Sequence, residues 1–142
     1  MDNGRTTAEV ARPFSPSFDF VMKSIEARQL LATAIPESDR HGIWADLGAG
    51  VPDGICIDAE NAVWYADVPN QCCVRVREGG KVLQKIQLDR GCFACMLGGS
   101  GKKTLFIIAA EWQGMDKMAE VAKARTGQVL TVKAPARHAG WP

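Results

Sequence analysis

Between Gly54 and Leu88 four strand-like runs follow one another with only short connectors: Gly54–Asp58, Ala62–Val68, Cys72–Arg77 and Lys81–Leu88. Connectors this short cannot carry a crossover, so each run pairs antiparallel with the next, as a four-stranded meander. The connecting segments Ala59-Glu60-Asn61, Pro69-Asn70-Gln71 and Glu78-Gly79-Gly80 supply the Asn, Pro and Gly that tight turns require. Alternation with a period of two, as in Cys73-Val74-Arg75-Val76-Arg77 and Val82-Leu83-Gln84-Lys85-Ile86, supports the same assignment.

The pattern then recurs. Ile55-Cys56-Ile57-Asp58 followed by Val63-Trp64-Tyr65-Ala66 returns as Ala94-Cys95-Met96-Leu97 followed by Leu105-Phe106-Ile107-Ile108-Ala109. Gln128 to Lys133, after the Thr126-Gly127 turn, takes the place that Cys72 to Arg77 takes in the first copy. A four-stranded unit repeated every ~40 to 50 residues is the pattern of a β-propeller blade. The expected fold is therefore all-β, with clear blades at 54–88 and 93–134. In the second copy, Met115 to Lys123 is an insertion of helix-forming composition, for which a short helix and a loop both remain open. Insertions at one end of repeated blades often line the functional face.

Upstream the signal is weaker. Residues 1–17 are polar and turn-prone, with Pro13 and Pro16 breaking any helix, and are expected to form a loose arm before a partial propeller domain at 18–142. Phe18–Met22, Leu30–Ile35 and Ile43–Leu47 are short apolar runs that suit strands, although Glu26–Ala34 also suits a helix.

Composition narrows the function classes. The 142 residues suffice for one domain, and 46% hydrophobic with 23% charged residues describes a globular chain. Seventeen Lys and Arg against sixteen Asp and Glu leave a net charge of +1, too little to hold a nucleic acid, and none is expected as a partner. No apolar run approaches the roughly 18 residues that span a bilayer, and no secretory leader stands at the start, so the expectation is a cytoplasmic protein without a membrane partner. Five cysteines are an odd count for a disulfide framework, so reduced thiols are expected.

Several segments together carry a family resemblance: Val51-Pro52-Asp53-Gly54-Ile55-Cys56-Ile57-Asp58-Ala59-Glu60, then Ala62-Val63-Trp64, Val74-Arg75-Val76, Cys92 to Gly99 and Thr104-Leu105-Phe106. From about Trp44 to Pro142 the chain resembles the gluconolactonase, regucalcin and luciferin-regenerating enzyme family. The resemblance implies a six-bladed propeller that opens the ring ester of sugar lactones with a divalent cation in its central channel. Ca²⁺ leads, with Mg²⁺, Mn²⁺ and Zn²⁺ as alternatives. At the family's spacing the chain holds about three blades, corresponding to the C-terminal half. Of the family's three metal ligands, the Asp of Pro-Asp-Gly carries over to Asp53 as metal ligand and catalytic residue, whereas the first-blade Glu has no counterpart. For the Asn ligand, Ser15-Pro16 matches the turn that follows it, but Val10 stands at the ligand position, and Asn3-Gly4 fits only with an insertion.

Asp53 also has a case of its own. Pro52 fixes the incoming backbone and Gly54 frees the outgoing one, which sets the carboxylate at the start of a blade's first strand. A hard cation prefers such oxygen ligands, and a carboxylate there can also take a proton from an attacking water. The alternative is that Pro-Asp-Gly is simply a turn. Cys92-Phe93-Ala94-Cys95 has the spacing of a redox motif or of half a zinc site, without a second Cys or His pair at matching distance, so core packing is expected, and residues three apart on a strand point to opposite faces. Adjacent Cys72 and Cys73 likewise face opposite ways. His41 and His138 lack a nucleophile motif nearby, so surface or structural roles are expected. Gly98 to Lys103 is read as a hairpin turn, since Thr104 opens a strand where a phosphate loop would open a helix. Glu111 and Trp112 end the second copy's second strand as Asp67 ends the first's, which would bring them to the channel mouth.

Two functions follow from this reading. One is a sugar-lactone hydrolase, or its C-terminal piece; the other is a catalytically inactive propeller piece serving as a binding or interaction module. A half-ring has open flanks, which a second copy or a missing N-terminal half would cover.

Overall fold

The computed structural model describes residues 9–13 and 44–140. It contains two four-stranded antiparallel sheets. The first sheet runs in simple sequence order: β2 (Pro52–Ile57), β3 (Val63–Asp67), β4 (Cys72–Val76) and β5 (Val82–Gln87). Each strand lies within two residues of its sequence expectation. Positive φ at Asn61 and Gln71 and at the consecutive pair Gly79 and Gly80 shows why those residue types close the turns.

The second sheet has the order β1-β8-β7-β6, built from β6 (Gly91–Gly98), β7 (Thr104–Ala110), β8 (Gln128–Lys133) and β1 (Glu9–Pro13). Strand β1 corrects the loose-arm reading for these five residues. It pairs antiparallel with β8, Val10 opposite Leu130 and Pro13 opposite Gln128, with a register shift between Val10 and Arg12. Proline is excluded from helix interiors but tolerated on an edge strand, and the pairing partner lies more than a hundred residues away, beyond any local pattern. The 93–134 copy thus supplies three strands of its own sheet and the chain's N-terminal region the fourth.

Two further expectations are resolved. The insertion is a 3₁₀ turn, Met115–Lys117, running into helix α1, Met118–Ala124, which ends where Arg125 turns left-handed and buries none of its residues. Trp44 to Leu47 holds no strand, contrary to the reading of Ile43–Leu47. Turn chemistry prevails there: the Gly48 amide donates to Asp46 Oδ1 at 2.8 Å and the Gly50 amide to Leu47 O at 2.9 Å. The runs Phe18–Met22 and Leu30–Ile35, Glu26–Ala34 and His41 lie outside the described residues. Gly98 to Lys103 is a hairpin turn, closed by Lys102 N donating to Gly99 O at 3.0 Å.

The main core lies between the sheets. Trp64, Ala66, Cys73 and Ile86 of the first sheet pack with Cys92, Cys95, Leu97, Leu105, Ile107, Leu130 and Val132 of the second. Tyr65, Cys72, Val74 and Val76 form a second cluster on the first sheet's other face, with Leu47 and Val63 against it. Cys72 and Cys73 therefore do face opposite ways. Beyond β8, His138 bridges Asp58 by backbone, while its amide donates to Lys102 O at 3.0 Å and the Ala139 amide to Ile57 O at 3.1 Å. This segment straps one end of both sheets together, so of the surface and structural roles expected of His138 its backbone takes the structural one. Among the described residues no helix is long and apolar enough to cross a membrane.

Candidate functional site

The two strands that end their sheets on the inner side, β2 and β6, lie against one another. A Cβ added to Gly54 would sit 2.8 Å from Ala94 Cα and 3.1 Å from Phe93 O, so glycine is what permits this approach. Both strands carry an extra residue at the same place. In β2 the register slips between Pro52, opposite Asp67, and Ile55, opposite Tyr65. In β6 Gly91 faces Ala110 and Ala94 faces Ile108, with the slip between Cys92 and Ala94. Bulges of this kind bend a strand and redirect side chains, and they concentrate beside functional sites.

Asp53 occupies the β2 bulge and is half-buried. Across from it, Asp67 is only 1% exposed and already committed. Its Oδ2 accepts from Val51 N at 3.0 Å and from Asn70 Nδ2 at 2.9 Å, and its Oδ1 from Asn70 N at 3.1 Å. Asn70 Nδ2 also donates to Ala49 O at 3.0 Å, which pins the loop leading into Pro52. Asp67 thus fixes the backbone that presents Asp53. Tyr65 stands behind this loop: its hydroxyl would lie 2.7 Å from a Cβ at Gly50, and burial, then Asp67, pushes the phenol up.

The second sheet brings Glu111 and Trp112 to the same end, since a Cβ at Gly91 would meet Trp112 Cβ at 2.9 Å and Val68 at 3.1 Å. Trp112 packs edge-on against Phe93, the bulge aromatic of β6, with ring centroids 5.8 Å apart. Glu111 is exposed, its amide bonded to Thr126 Oγ1 at 3.1 Å. The insertion carrying α1 connects β7 to β8 at this end as well.

The implied divalent cation can be tested against these donors. Among the described residues no group of three or more His, Cys, Asp or Glu is arranged to hold a metal ion. Ca²⁺ takes about six to eight oxygens. Asp53 is one carboxylate, and Asp67 spends its oxygens on three N–H donors. The described residues therefore do not constitute a cation site on their own.

At the opposite end of the first sheet lies a network that sequence reasoning missed. Asp58 is fully buried and Arg75 6% exposed. Arg75 Nε donates to Asp58 Oδ2 and its Nη2 to Glu60 Oε2, both at 2.7 Å, while Asp58 Oδ1 accepts from the Glu60 and Ala62 amides. Burial pulls the Arg75 guanidinium down, but these two carboxylates more than offset it and hold it up. The network closes the β2–β3 turn.

The cysteines need one correction. Cys92 and Cys95 both join the core between the sheets, where strand alternation puts them on opposite faces. The bulge between Cys92 and Ala94 resets the alternation, and no local sequence signal announces it.

Comparison with known proteins settles the relationship. The model of the SMP-30/gluconolactonase/LRE-like region matches residues 17–111. The chain belongs to this family. The match starts upstream of Trp44 and stops at Glu111, so it is shifted toward the N-terminus relative to the segments that carried the resemblance. Regucalcin from Xenopus laevis is 30% identical over 86 residues, 58% of this chain, and regucalcin from Danio rerio 34% over 85 residues. In both cases the match spans 28% of the relative's length. Among solved structures, a luciferin-regenerating enzyme matches with TM-score 0.51 at 22% identity, over 64% of this chain and 30% of that one. A protein described as a calcium-binding regucalcin from Agrobacterium tumefaciens matches with TM-score 0.51 at 17% identity, over 70% and 34%. These likenesses give the fold: antiparallel sheets of the kind found in gluconolactonase-like propellers.

Proposed function

We propose that the chain forms part of a gluconolactonase-like sugar-lactone hydrolase, to which it contributes Asp53. The observation that carries this reading is the place of Asp53 in the bulge of an inner edge strand, on a loop that Asp67 and Asn70 hold rigid. There the carboxylate accepts the proton of a water whose oxygen attacks the lactone carbonyl carbon. The ring carbon–oxygen bond then breaks, its oxygen regains a proton, and a hydroxy acid leaves. The family's cation, Ca²⁺ or alternatively Mg²⁺, Mn²⁺ or Zn²⁺, would supply electrophilic help, but the described residues offer it too few oxygens for a step to be drawn through it. In this reading the remaining ligands come from outside the described residues, on a second chain that completes the ring. Five free thiols suit the reducing cytoplasm we assign it to.

A second reading, a non-catalytic binding piece of the same family, is favoured by the commitment of Asp67. Size-separated fractions of the protein, assayed with gluconolactone, Ca²⁺ and a pH indicator, distinguish the two. Monomer should release acid at the spontaneous rate, and assembled fractions faster, with Asp53→Asn losing ~10²- to 10⁴-fold of the gain. Strong turnover by monomer would overturn the shared-site reading, and none in any fraction would overturn the hydrolase reading.

A further inference from the structure

Four of the five cysteines converge on the seam between the sheets from three strands: Cys56 on β2, Cys73 on β4, and Cys92 and Cys95 on β6. Their thiols shift one another's titration pair by pair, Cys56 with Cys95, Cys95 with Cys73 and Cys73 with Cys92. All are free thiols, and Cys56 alone among the four is not buried. The seam is tightest beside them, where Gly54 meets Ala94, and Cys95 Sγ donates to Gly54 O at 3.5 Å. Cys95 Sγ thus lies against the backbone of β2 two residues before Cys56, and both side chains sit on the core between the sheets.

We propose that Cys56 and Cys95 are a modification site, closing to a disulfide that staples β2 to β6 when the chain meets a small-molecule disulfide such as glutathione disulfide. Cys56 reacts first, since it alone of the four is not buried. Its thiol loses a proton and bonds to one sulfur of the oxidant, whose S–S bond breaks and releases one glutathione. Cys95 then loses its proton and attacks the Cys56 sulfur, releasing the second glutathione. Two electrons and two protons pass from the protein thiols to the oxidant, and reduced glutathione reverses the exchange. The Cys95 contact and then burial push the Cys56 thiol up, and for Cys95 the Cys56 contact pulls down but Cys73 and burial outweigh it, so both thiols stay protonated and the reaction quickens with rising pH. The staple fixes to the second sheet the strand that carries Asp53, three residues from Cys56.

The full chain, treated with glutathione disulfide at mildly alkaline pH, digested without reductant and read by mass spectrometry, tests this directly. The expected product is a joined pair of peptides containing Cys56 and Cys95, two hydrogens lighter than the separate thiols, with Cys73 and Cys92 still alkylatable. The oxidised chain should unfold at a urea midpoint higher by about 1 M or more, a shift that reductant removes and Cys56→Ser never shows. A Cys56–glutathione adduct with free Cys95, a link between Cys73 and Cys92 alone, or unmodified thiols would each overturn the assignment. The peptide map is made on the unaltered chain, so the result does not depend on a variant folding.

Discussion

Three aspartates with similar turn surroundings have come to differ entirely in what they do. Asp53 is half-buried in a bulge, Asp67 is spent on its own loop, and Asp58 is sealed against Arg75. Pro-Asp-Gly drew attention to the first from the sequence. The other two are legible only once β3 and β4 place Asn70 and Arg75 beside them, although Asp67-Val68-Pro69-Asn70 already has the composition of a side-chain-capped turn. Because Asp58 and Arg75 are both buried, truncating one strands the other's charge. Asp58→Ala should therefore destabilise the fold by about 3–5 kcal/mol, read as a lower urea midpoint at unchanged slope. A change under about 0.5 kcal/mol would show that the pair is solvated and the network unimportant.

At the level of elements, hydrophobic alternation and turn residues made seven of the eight strands among the described residues readable, because each of those pairs with a neighbour close in sequence. The eighth, β1, escaped because its pairing with β8 is the longest-range in the described structure and its side of the sheet is an edge. The two bulges escaped because an extra residue in a strand keeps the composition and alters only the alternation, which is why Cys92 joined Cys95 on one face. The resulting thiol cluster ties stability to pH. For Cys56 and Cys73, hydrogen bonding to neighbouring thiols and then burial push the thiols up; for Cys95, the Cys56 contact pulls down but Cys73 and burial outweigh it. A pKa raised in the folded state favours folding fully below the unfolded value, about 8.5, and that contribution is lost as pH rises toward the folded value. Under reductant, urea stability should be level between neutrality and about pH 8.5 and then fall, by roughly 1.4 kcal/mol per pH unit for each thiol still held protonated. A midpoint that rises in that range would contradict the assignment.

For the whole molecule, two sheets with their inner edge strands in contact set the geometry of everything else. One end gathers Asp53, Asp67, Trp112 and the α1 insertion; the other gathers the Asp58–Arg75 network and the C-terminal strap. The sequence repeat foretold the two antiparallel sheets themselves, but neither the contact of their edge strands nor the Asp58–Arg75 network. The resemblance implied about three blades of a six-bladed ring; two sheets lie among the described residues, and the rest of that expectation falls outside them. The central proposal is that Asp53 ligates a cation for which the described residues supply too few oxygens. Calorimetric titration of the monomer with Ca²⁺ tests it most directly. Weak binding is expected, with a dissociation constant of about 10⁻⁴ M or higher, and Asp53→Ala should abolish it. Micromolar or tighter binding that survives Asp53→Ala would place the cation elsewhere and contradict the claim.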